Sequence, residues 1–104
     1  MGLTVYWTQF AEDKLNDVFA YLSENAGHKL AQKIIGQIID KSLELEKNQY
    51  IGQKEPLLIS RIHDFRYLVF NNYKIIYWVN LKKQRIEVVN IFDCRQNPSK
   101  MDKF

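Results

Sequence analysis

The spacing of apolar residues changes once along this chain, and that change constrains the fold more than any other feature. Up to residue 45 the apolar side chains recur at helical spacing, and from residue 66 they follow the extended repeat of strands. Phe10, Ala11, Leu15, Val18, Phe19 and Leu22 form one helical stripe; Leu30, Ala31, Ile34, Ile35, Ile38, Ile39, Leu43 and Leu45 form a second, expected to be buried. Thr8 is an N-cap for the first helix, with Glu12 and Asp13 in the opening turns, where the helix dipole favours acids. Asn25 and Gly27 close that helix. Gly36 lies inside the second helix, where it lowers helix propensity and would permit close helix contact. The two segments predict a helical hairpin lying on one face of a sheet.

The sheet itself is predicted from residues 3–7, 66–70, 73–79 and 85–92, which are rich in β-branched and aromatic side chains. Asn71-Asn72 suits a tight hairpin, because asparagine tolerates positive φ; residues 80–84 read as a longer hairpin loop. In the middle strand Tyr73, Ile75, Tyr77 and Val79 share one face and Lys74, Ile76 and Trp78 the other, so the strand should be central. Residues 48–56 read as a loop and residues 96–104 as a loose tail or short helical turn. The expected class is α+β: an N-terminal strand and a helical hairpin packed on an antiparallel sheet. With 104 residues, 46% hydrophobic, residues 1–104 form one domain whose core needs no covalent staples.

One cysteine, Cys94, excludes an internal disulfide and fits a reducing compartment; between Asp93 and Arg95 it has a route to a lowered thiol pKa, although a lone thiol is more often inert. The N-terminus lacks a signal-peptide pattern, and no run approaches the ~18 apolar residues of a membrane span, so a cytoplasmic protein without membrane contact is expected. His28 and His63 lack metal-ligand spacing, and there is no Gly-rich phosphate loop or nucleophile motif. No metal or cofactor is expected. His63 reads as a surface loop residue.

Charge is divided unevenly. Residues 1–53 hold five Lys and seven Asp/Glu, a net −2, whereas residues 54–104 hold ten Lys/Arg and five Asp/Glu, a net +5. A basic half of this kind suits an anionic partner, nucleic acid or an acidic polypeptide. Arg66, Lys74, Arg85 and Arg95 are interleaved with Tyr67, Tyr73, Tyr77, Trp78 and Phe92, and cations beside aromatic planes can hold phosphates and stack bases. Core filling by the aromatics and solvation of the cations is the competing reading.

Arg66-Tyr67-Leu68, Tyr73-Lys74-Ile75-Ile76-Tyr77 and the run Val88-Val89-Asn90-Ile91-Phe92-Asp93-Cys94-Arg95-Gln96-Asn97-Pro98, in that order and spacing, resemble the RelE/ParE superfamily of bacterial type II toxins. The resemblance covers nearly the whole chain. It implies a helical hairpin on a curved antiparallel sheet, and a growth-inhibiting toxin of a plasmid-stabilisation system neutralised by a cognate antitoxin. It leaves homodimer formation open. RelE-type members cleave messenger RNA on the ribosome by making the RNA 2′-hydroxyl attack the adjacent phosphate. For that activity Arg66, Lys74 and Arg95 match the family's cationic positions, and together with Tyr77 they are the expected target- or phosphate-binding set, converging on one surface. The Tyr or His that RelE-type nucleases carry near the C-terminus is missing between Gln96 and Met101, and lysines are fewer on the first strand of the sheet. ParE-type members bind DNA gyrase instead. The resemblance therefore implies a ParE-like, gyrase-binding toxin, with a metal-independent endoribonuclease and an inactive antitoxin-binding module as alternatives.

Overall fold

The computed structural model describes residues 2–104. Strand β1 (Thr4–Trp7) leads into helix α1 (Gln9–Ala26), where the Thr8 hydroxyl accepts the Ala11 N–H at 3.2 Å and closes the helix start as expected. Gly27 is the whole connection to α2 (His28–Leu43). Its φ of +95° is reached at low cost only without a Cβ, and it turns the chain back on itself. The predicted helical hairpin forms, with α1 packed along α2.

The strands β2 (Gln53–Lys54), β3 (Arg66–Phe70), β4 (Tyr73–Asn80) and β5 (Arg85–Asp93) join β1 in one five-stranded sheet of order β1-β5-β4-β3-β2. Neighbours from β2 to β5 are antiparallel, and β1 adds to β5 in parallel, with Thr4 opposite Arg85 and Trp7 opposite Val88. The N-terminal strand and the C-terminal strand thus become partners. Asn71 takes φ +53° in the β3–β4 turn, as the asparagine pair predicted, and Gln84 takes φ +52° at the end of the β4–β5 link. The longer strand boundaries match the sequence reading to within a residue. The pair of residues in β2 carries no pattern of its own, and its segment read as loop.

A β-bulge decides which side chains face where. Ile76 pairs with Asn90, but the next residue, Tyr77, pairs with Val88, so Val89 is the extra residue of β5. The bulge shifts the alternation by one, and Ile86, Val88 and Ile91 all face the helices. There they join Ala11, Val18, Ile38, Leu45, Leu68, Tyr73, Ile75 and Tyr77 in the main core. Val89 and Phe92 lie with Ile76 on the other face, in a second core with Leu58, Phe65 and Met101, edged by Tyr67, Trp78 and Phe104.

Of the two expectations for the last residues, a loose tail or a short helical turn, the turn is the one that forms, and the second core holds it. The C-terminal segment makes a 3₁₀ turn at Pro98–Lys100, buries Met101, and is tied to the sheet by the Asn90 Nδ2 donating to the Met101 carbonyl at 3.0 Å. Two details of the helical hairpin differ from expectation. Leu30, Ile39 and Leu43 remain exposed rather than buried. A Cβ on Gly36 would meet nothing within 4 Å, so this glycine mediates no close helix contact.

Candidate functional site

The four residues singled out in the sequence do not converge. Arg66 and Tyr77 are register partners on the helix-facing side of β3 and β4, whereas Lys74, by alternation along β4, projects from the opposite face. Arg95 lies two residues beyond β5, beside α1. The expectation of one cationic surface is therefore corrected. Neighbouring residues on a strand alternate sides, and the three cations belong to three neighbourhoods.

Each of the three cations faces a different carboxylate. The Arg66 guanidinium donates to the Gly52 carbonyl at 2.9 Å, lies 3.5 Å from Asp64 and 5.2 Å from the centre of the Tyr50 ring, and is largely buried. Tyr77 is fully buried, and its hydroxyl accepts the Gly52 N–H at 3.0 Å. Arg66 and Tyr77 thereby hold both polar backbone groups of one residue and fasten the β2 segment to the sheet. Burial pushes the Tyr77 phenol pKa up, against the opposing pull of the Gly52 N–H and the Arg66 charge.

Lys74 points its ammonium at Glu55 Oε1, 2.7 Å away, and lies 4.2 Å from the centre of the Tyr67 ring. The Glu55 side chain is fully buried, and its second oxygen accepts the Leu57 N–H at 3.1 Å. Arg95 is the accessible member, with its side chain 51% exposed. It forms a fork to Asp93, Nε to Oδ1 at 3.0 Å and Nη2 to Oδ2 at 2.8 Å, and its backbone N–H donates to Oδ1 as well. Hydrogen bonding from the Arg95 side chain holds the Asp93 carboxyl below its usual range. The pair lines a groove of about 420 Å³ with Lys14, Asp17, Tyr21 and Gln96.

Most of the interleaved aromatics prove to be core: Tyr73, Tyr77 and Phe92 are buried. The Trp78 indole is stacked by the protein itself, with the His63 ring parallel to it at 3.6 Å and 8°. His63, expected as a simple surface loop residue, is a half-buried anchor. Cys94 fits the inert reading, because desolvation pushes its thiol pKa up rather than down, outweighing the nearby Lys74 charge. Arg85 lies 3.8 Å from the centre of the Tyr6 ring and bonds Glu87 at 3.0 Å.

Sequence reasoning missed the segment between β2 and β3. Glu55, buried with Lys74, and the apolar run Leu57, Leu58, Ile59 and Ile62 have neither helical nor strand period, so no periodic signal marks them. Their one flag was a cluster of large apolar residues in a stretch that had no assignment between the loop at 48–56 and the strand from Arg66. Among the described residues, no helix is long and apolar enough to cross a membrane.

A family model described as the ParE toxin of the type II toxin–antitoxin system parDE matches residues 5–98. Among solved structures, a chain of the chromosomal ParDE TA system from P. aeruginosa superposes with a TM-score of 0.72 at 18% sequence identity, over 88% of this chain and 95% of that one. No curated protein matches the sequence significantly.

Proposed function

The chain belongs to the ParE toxin family of type II toxin–antitoxin systems, and from that premise we propose that it arrests growth by binding DNA gyrase in the cytoplasm, without making or breaking bonds itself. A cognate antitoxin, the partner that a two-component ParDE system provides, holds it inactive. The fold shared with a chain of the P. aeruginosa system supports that pairing.

The observation that carries the non-enzymatic reading is the separation of the cations. Attack of an RNA 2′-hydroxyl on its phosphate builds extra negative charge on one phosphorus centre, and catalysis needs preorganised cations aimed at that centre together with a proton donor. Arg66, Lys74 and Arg95 are instead engaged by Asp64, Glu55 and Asp93 in separate places. Arg66, Lys74 and Tyr77 serve the fold. Of the expected contact residues, Arg95 is the exposed one, and we assign it a contact with an acidic or phosphate group of the partner.

Purified chain assayed side by side on gyrase supercoiling and on ribosome-bound messenger RNA tests this. Inhibition of gyrase with the message intact is the expected result. Cleavage of the message, abolished by Arg95→Ala, would establish the endoribonuclease; antitoxin binding with neither effect would establish an inactive binding module.

A further inference from the structure

Ile59 and Ile62 are 81% and 92% exposed, more than any other large apolar side chain among the described residues, and Leu57 beside them is 56% exposed. The loop that carries them is nevertheless held on both sides. Leu58 and Phe65 are buried in the second core, and the Leu57 N–H is taken by the buried Glu55 carboxylate, itself clamped by Lys74. The Arg61 N–H donates to the Leu58 carbonyl at 3.0 Å. The Arg61 guanidinium reaches the Asp102 carbonyl and lies 5.1 Å from the Phe104 ring centre, and His63 is stacked on Trp78. The inward side chains anchor the loop while the outward ones stand in water.

We propose that Leu57, Ile59 and Ile62 form the tip by which this chain enters an apolar pocket, rimmed by carboxylates, on its folded protein target; the proposal rests on the reading of the chain as a growth inhibitor. Exposed apolar groups grouped within a polar rim mark contact surfaces, and a tip already ordered loses little entropy on docking. Shape selects the kind of partner. Side chains this exposed project from the surface, and only a pocket that surrounds them can desolvate them fully; a flexible peptide laid across the tip covers one side. Such peptides suit grooves, and the helix side of this chain has one of about 450 Å³, lined by Trp7, Glu12, Leu15, Asn16 and Ile39.

Charge selects the rim. Lys54 and Arg61 flank the tip, and exposed Lys100 and Lys103 belong to the tail segment that packs beside Leu57 and Leu58. Against these four cations stand Asp64, which is already shared between Lys54 at 3.8 Å and Arg66 at 3.5 Å, and Asp102. The rim is cationic, so its counterpart is acidic.

The test compares the parent chain with the double variant Ile59→Glu/Ile62→Glu and with the conservative Ile59→Leu/Ile62→Val. The readouts are growth on induction, melting temperature, binding of the cognate antitoxin and binding of purified DNA gyrase. The glutamate variant should lose growth inhibition, with target affinity down about 30-fold or more as for a central contact pair, while melting and antitoxin binding stay at the parent's level; the conservative variant should keep inhibition. Loss of inhibition with a parent that does not bind gyrase upholds the tip and refutes gyrase as its target. Full inhibition by the glutamate variant overturns the proposal. So does loss of antitoxin binding alone, which would make the antitoxin the occupant. Flotation of the parent, but not the variant, on phosphatidylglycerol vesicles would assign the tip to a membrane and overturn it too. A parent that inhibits nothing removes both this proposal and the function on which it rests.

Discussion

Lys74 and Glu55 form a 2.7 Å ion pair in which the carboxylate is fully buried, on the face of the sheet away from the helices. A lysine that reads from sequence as a contact for an anion is thus committed to an internal one. The pair has a structural purpose that its neighbours explain: Glu55 also caps the 3₁₀ turn Pro56–Leu58, whose Leu58 fills the second core.

Removing one partner strands the other. Lys74→Met leaves a buried carboxylate without its cation and should cost about 3–5 kcal/mol in denaturant unfolding, whereas the double change Glu55→Leu/Lys74→Met should recover most of that loss. A Lys74→Met chain of unchanged stability would show that the ammonium faces a partner and not Glu55.

The glycines at positions 52 and 36 should respond to alanine in opposite directions. A Cβ on Gly52 would lie 2.6 Å from the Tyr77 hydroxyl and 2.7 Å from the Tyr67 carbonyl, too close for any carbon, and backbone on one side cannot yield. Gly52→Ala should therefore destabilise by about 1–3 kcal/mol. Gly36→Ala, in a helix with open space around it, should stabilise by about 1 kcal/mol. Thermal melts of the two variants check both signs.

Acid should weaken the fold through two carboxylates. Asp93 is held low by the hydrogen bond from the Arg95 side chain. At Glu87 burial pushes the pKa up, but the bonds from Asn80 and Arg85 outweigh it and the net shift is downward. Depressed native values mean that the folded chain binds fewer protons than the unfolded one. The stabilisation is complete above the ordinary carboxylate range, about pH 4, and is lost as pH falls through the native values. Unfolding free energy measured against pH should fall more shallowly on the acid side in Asp93→Asn/Glu87→Gln than in the parent.

Met101 tests whether the tail is part of the fold. It is 2% exposed in the second core, so Met101→Ala should cost about 2–5 kcal/mol, the range for emptying a core site. A change of a few tenths in chemical denaturation would mean that the tail is not docked in solution.

Much of the architecture was legible because it is local. Helical spacing, the Thr8 cap, the Gly27 joint and the asparagine turn each involve residues a few positions apart, and each appears where the sequence put it. The family resemblance was legible for the same reason, from short runs on consecutive strands, and the family model spans those runs. The site was harder to read. Arg66, Lys74 and Arg95 were grouped because they match cationic positions of the family that the chain resembles, yet residue parity along β3 and β4 sends Arg66 and Lys74 to opposite faces.

Sequence alone determined the order and approximate bounds of the two helices and the four longer strands and the imbalance of charge between the halves, because periodicity and capping act within one or two turns of chain. Tertiary structure alone decided that β1 pairs with β5, that Val89 is an extra residue which reverses the faces of the last strand, and that Glu55 meets Lys74. Those relationships join residues from about ten to eighty positions apart in sequence. They are fixed by which register buries the most apolar surface and leaves no buried charge unpaired, a condition on the whole molecule that no short stretch of it encodes.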